Sequence, residues 1–201
     1  MQAEHLSAVD QVSWESAVQH LYEDGFAFIA TGPRKHEDWR ADVLAVMARA
    51  VPDPRGWAGL DPVAHERTAE HPAAPFCRPA FRDDPLRPLT PADVGERLYE
   101  IDRASAENLL LALTDDGCAL RNLERFSESF DELQDMARTI LGRYGDTFTC
   151  HSNLGQARRT GKLDFGGKPM GWTPMTFYGE DCGLVVVSDT EVGLFWAFGD
   201  I

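Results

Sequence analysis

The stretch WTPMTFYGEDCGLVVVSDTEVGLFWAFGDI, residues 172–201, decides the architecture. Within it the runs 175–178, 184–188 and 192–198 are rich in β-branched and aromatic residues. The turn-like clusters Gly179-Glu180-Asp181 and Asp189-Thr190-Glu191 separate them, a spacing that predicts an antiparallel meander. Leu184, Val185, Val186 and Val187 do not alternate with polar residues, so both faces of that strand are expected to be covered. In the last run Val192, Leu194, Trp196 and Phe198 fall on one face. Such a sheet needs a helical layer against its apolar face, and the rest of the chain supplies candidates.

Trp14, Ala17, Val18, Leu21 and Tyr22 recur at helical spacing, with Ser13 as a cap and Gly25 as a stop, which predicts a helix over 13–24. Residues 26–31 read as a strand, and 37–50 as a second helix with Trp39, Val43, Leu44 and Met47 on its buried stripe. Between 52 and 91 lie nine of the chain's twelve prolines, too dense for long helices or central strands. That segment is expected to be an irregular excursion pinned by Trp57, Phe76 and Phe81 within a single domain. Thr90-Pro91-Ala92-Asp93 opens a helix over 91–104, with Val94, Leu98 and Ile101 as its stripe. For 107–123 two readings stay open. The leucine-rich run can continue a helix, or it can be a strand that turns at Asp115-Asp116-Gly117; the Asp-Gly signal favours the hairpin. Ser129 and Glu132 form a capping-box pattern ahead of a helix over 129–144, and 147–151 reads as a strand. The chain is therefore expected to be α+β: a mainly antiparallel sheet ending in the C-terminal meander, with helices packed on one face.

A chain of 201 residues, 43% hydrophobic, is long enough to bury a core as one domain. Its formal net charge of −14 repels nucleic acid and anionic membranes and attracts basic partners; solubility alone is the plain account of the same charge. The carboxylates are densest around Asp115, Asp116, Glu124, Glu128, Asp131, Glu132 and Asp135, which are read either as a solvated helix face or as a docking face for a cationic protein. Cys77, Cys118, Cys150 and Cys182 are widely and irregularly spaced, which predicts free thiols in a reducing, cytoplasmic setting. The first residues lack the pattern of a secretory signal, and no apolar run approaches a membrane span, so no membrane partner is expected.

Catalytic signatures are weak. Residues 153–171 form a Gly-rich basic loop in which Arg158, Arg159 and Lys168 are candidates for anion binding, but no phosphate-binding G-x-x-x-x-G-K-[ST] occurs. Cys150 and His151 are adjacent, yet neighbours on a strand point to opposite faces, so they do not form a nucleophile–base dyad with each other. The histidines and cysteines lack the spacing of zinc modules, and no dinucleotide fingerprint or nucleophile elbow is present. No catalytic residue, metal or cofactor is expected.

The ending resembles the C-terminal hairpin of small acidic bacterial immunity-type proteins of toxin systems. The residues that carry the resemblance are Tyr178, Gly179, Asp181, the strand 184–187, Ser188, Asp189, Gly193, Phe195 and Trp196. It covers about a tenth of the chain and implies an α+β fold with a neutralised protein partner, but transfers no catalytic residue. The leading expectation is an immunity or antitoxin protein that occupies a basic toxin or nuclease. The alternative is a small enzyme or small-ligand binder using the 153–171 loop with Cys150 and His151. A third reading is a mimic of DNA charge aimed at a nucleic-acid-binding protein.

Overall fold

A computed structural model describes residues 9–23, 25, 27–47, 60, 89–115, 117–166, 171–175 and 179–199. Among them, five strands form one sheet: β1 (Ala27–Pro33), β2 (Tyr99–Ile101), β3 (Phe148–Ser152), β4 (Glu180–Ser188) and β5 (Glu191–Gly199). Their order is β1-β5-β4-β3-β2, and every neighbouring pair is antiparallel. The C-terminal hairpin expected from the sequence is β4–β5. It closes at Ser188, whose hydroxyl accepts from the backbone N–H of Glu191 at 3.0 Å and of Thr190 at 3.3 Å. Of the expected first run, 175–178, only Met175 lies within the described residues.

The sheet is covered on both faces, as the unbroken apolar run in β4 requires. Cys182, Leu184 and Val186 of β4, with Ile29, Phe195 and Cys150, pack against one set of helices. That set is α1 (Gln11–Tyr22), α4 (Arg103–Ala112) and α5 (Phe130–Gly142). Val185, Val187, Val192, Leu194 and Trp196 pack on the other side with α2 (Trp39–Met47) and α3 (Pro91–Arg97). The expectation of helices on one face is corrected here. Val43, Val46, Met47 and Val94 are fully or almost fully buried, and their natural seat is the Leu194/Trp196 face.

Local signals explain most element boundaries. Asp10, not Ser13, caps α1: its carboxylate accepts the Ser13 N–H at 2.9 Å. Thr90–Asp93 and Ser129–Glu132 each form a reciprocal capping box, at the start of α3 and α5.

Two expectations fail between 91 and 123. The helix expected over 91–104 is instead α3, then β2, then α4. Leu98 turns extended, Tyr99–Ile101 pairs with β3, and Asp102 caps a new helix by accepting from the Ser105 N–H at 2.9 Å. The hairpin favoured for 107–123 is absent: α4 runs through Ala112, and Leu120–Arg125 forms a 3₁₀ turn. Leu109, Leu110, Leu111 and Ala112 are all at 0% exposure, because α4 lies among the sheet, α5 and the 3₁₀ turn. The second half of α4 is apolar on every side, so it has no amphipathic period to read.

The proline-rich excursion falls largely outside the described residues. Leu60 is described, and its carbonyl accepts the Ile29 N–H at 2.8 Å on the side of β1 away from β5.

Past β3, the Gly-rich stretch contains a short helix, α6 (Gly155–Thr160). Fully buried Asn153 anchors its start. Asn153 Nδ2 donates to the carbonyls of Asp181 at 2.7 Å and Thr173 at 3.0 Å, and its Oδ1 accepts the Gly183 N–H at 3.1 Å. Asp181, also fully buried, accepts from Trp196 Nε1 at 2.7 Å and from the Met175 N–H. These bonds satisfy polar groups that would be costly if left unpaired in the core.

Candidate functional site

Helices α1 and α5 run antiparallel. Val9, just before α1, lies against Gly142 at the end of α5, so the last turn of α1 meets the start of α5. At that end His20 Nε2 pairs with Glu128 Oε1 at 3.0 Å. Arg125 Nη2 donates to the Leu21 carbonyl at 2.8 Å, satisfying an acceptor at the C-terminus of α1. The Arg125 guanidinium also lies 4.6 Å from the centre of the Phe126 ring. His20, Glu23, Arg125, Phe126, Ser127 and Glu128 line an open groove of about 500 Å³. Phe130, the first residue of α5, is 45% exposed.

The expected acidic residues are distributed around this end with different roles. Glu124 and Asp131 are exposed. Glu128 is half-buried and engaged by His20. Glu132 closes the capping box: it accepts from the Ser129 backbone at 2.8 Å and hydroxyl at 2.7 Å, and these bonds hold its carboxyl below the usual range. Asp135 pairs with Arg138 at 2.8 Å on the exposed helix surface. Asp115 is half-buried at the end of α4, where its carbonyl accepts from Asn122 Nδ2 at 2.8 Å. Asp116 lies outside the described residues.

Sequence reasoning missed His20, Glu23, Phe126 and Phe130. Phe130 precedes Leu133 by three residues, so helical period would bury it; its exposure is visible only once α1 and α5 are placed. His20 and Glu23 lie off the apolar stripe of α1, and nothing in their spacing marks them.

The alternative site does not assemble around Cys150 and His151. Cys150 points into the α1/α4/α5 core, and burial pushes its thiol up to about 12. His151 points to the opposite face, as neighbours on a strand must. Its ring stacks on Trp39 at 4.5 Å, and Nε2 lies 3.0 Å from Thr149 Oγ1. Burial first, and the Arg40 cation second, push its pKa down to about 4. A neutral buried thiol and a neutral buried imidazole on opposite faces lack the contact of a nucleophile and its base. Arg158 and Arg159 project from α6 into solvent, Arg158 with its guanidinium 5.8 Å from the Tyr99 ring centre. Lys168 lies outside the described residues.

Among the described residues, no group of three or more His, Cys, Asp or Glu is placed to hold a metal ion, and no helix is long and apolar enough to cross a membrane. No protein-family model, curated protein or solved structure matches the chain.

Proposed function

We propose that this chain is an acidic protein-binding module that occupies a cationic protein, in the manner of an immunity or antitoxin protein set against a basic toxin or nuclease. The contact is the end of the molecule where α1 meets α5. The observation that carries the reading is Phe130, an aromatic side chain 45% exposed and flanked in sequence by Glu128, Asp131 and Glu132. An aromatic anchor inside a charged rim is the composition of a docking site, and the rim's sign selects a basic partner. The net charge of −14 supports the same choice, since it disfavours nucleic acid and anionic lipid. The resemblance of the C-terminal hairpin to immunity-type proteins supports the type of partner, and the reduced thiols of Cys118, Cys150 and Cys182 fit a cytoplasmic setting.

The test is affinity capture from the native host with the wild-type chain and with Phe130→Ala and Asp131→Lys, both at exposed positions. The expected result is one basic protein retained by the wild type and lost with either variant. Equal retention by all three contradicts the reading. Recovery of a bound small molecule and no protein favours a ligand-binding role instead.

A further inference from the structure

The turn after α4 holds adjacent residues with positive φ, Gly117 at 77° and Cys118 at 45°. Glycine adopts that region freely, whereas a residue with a Cβ does so at a cost and only when its surroundings hold it there. Here the Gly117 N–H donates to Glu180 Oε1 at 2.6 Å, at the first residue of β4. Glu180 and Cys182 are two residues apart on that strand, so their side chains leave the same face. The turn that reaches Glu180 therefore lies over Cys182. Cys118, next to Gly117, and Cys182 are thereby brought together, at 6% and 0% exposure, in the core shared with α1 and α4. Cys150, on β3 in the same core, is buried between its cross-strand partners Val186 of β4 and Ile101 of β2.

We propose that Cys118 and Cys182 form an intramolecular disulfide within the native fold when the protein meets an oxidising low-molecular-weight disulfide. The bond fastens the turn after α4 to β4. Cys118, the more exposed of the two, reacts first: its thiolate attacks one sulfur of RSSR, forming a mixed disulfide and releasing RS⁻, which takes up the proton that Cys118 gave up. The Cys182 thiolate then attacks the Cys118 sulfur, the second RS⁻ leaves, and it takes up the Cys182 proton. The balance is two protein thiols plus RSSR giving one protein disulfide plus two RSH. The Cys118 hydrogen bond and burial both hold the Cys182 thiol well above its ordinary pKa. Its thiolate is scarce, so closure is slow at neutral pH and accelerates as pH rises.

The experiment treats the reduced full-length chain with oxidised glutathione without denaturant, at neutral and at mildly alkaline pH. Remaining thiols are then alkylated in denaturant, peptides are mapped, and thermal unfolding of the oxidised and reduced forms is compared. The expected map links Cys118 to Cys182 and finds Cys77 and Cys150 alkylated, with faster linkage at the higher pH. The unfolding midpoint of the linked form is expected to rise by about 5 °C or more. Four alkylated cysteines, a bond that includes Cys77 or Cys150, or glutathione retained on Cys118 overturns the proposal. So does a linked form that unfolds at or below the reduced midpoint.

Discussion

Replacing His151 by phenylalanine keeps a flat ring against Trp39 and removes a group that titrates differently in the folded and unfolded chains. In the fold the imidazole is 9% exposed and stacked on Trp39, and burial with the Arg40 cation pushes its pKa down to about 4. In the unfolded chain it returns to about 6.5. Between these values the unfolded chain binds a proton that the folded chain refuses, so lowering the pH favours unfolding. The stability associated with neutral His151 is fully present above about pH 6.5 and is lost as pH falls toward 4. The size of the loss follows from the gap between the two values: about 3 kcal/mol by pH 4, relative to neutral pH. Urea unfolding of wild type and His151→Phe at steps from about pH 7.5 to pH 4 measures it. The shared carboxylates contribute to both proteins and cancel in the difference. The wild type should lose about 3 kcal/mol relative to the variant over that interval. A difference that stays constant with pH, or moves in favour of the wild type as pH falls, refutes the burial argument for this residue.

Two further perturbations follow from the packing. Arg143 and Glu191 form a buried ion pair at 3.0 Å, with the guanidinium 5.1 Å from the Trp14 ring centre; Glu191→Ala leaves that cation without its carboxylate and should cost about 3–5 kcal/mol in denaturant unfolding, much of it regained in Arg143→Met/Glu191→Leu. A Cβ at Gly193 would stand 1.7 Å from the Tyr144 hydroxyl oxygen, so Gly193→Ala should destabilise by about 1–3 kcal/mol, whereas Gly171→Ala, which meets nothing within 4 Å, should stay within about 0.5 kcal/mol by the same measurement.

Much of the fold was legible where one physical cause acts alone. The face shared by Val192, Leu194 and Trp196 follows from the period of a strand, and it packs as one layer. The capping boxes at Thr90 and Ser129 are local hydrogen-bond patterns, and both form. The failures came where tertiary contacts override local pattern. The run Leu109–Leu111 is buried on every side, so that half of its helix carries no periodic signature and the Asp-Gly signal beyond it misled. Ile101 fits a helical stripe equally well as a strand facing Cys150, and only the pairing of β2 with β3 decides. At the candidate site the acids were legible by their density. The exposure of Phe130 and the His20–Glu128 contact were not, because they depend on how α1 meets α5.

The role proposed for the α1–α5 end is to hold a cationic protein by charge around an aromatic anchor. Association kinetics with the captured partner test it most directly, across a salt series, for the wild type, Asp131→Lys and Asp189→Lys. Asp189 is also exposed, but it lies in the β4–β5 turn near the Arg143–Glu191 pair, at the far end of α5 and about 20 Å of helix away. The association rate is expected to fall as salt rises and to drop at least several-fold more for Asp131→Lys than for Asp189→Lys. Equal effects of the two reversals, or a rate indifferent to salt, would contradict it.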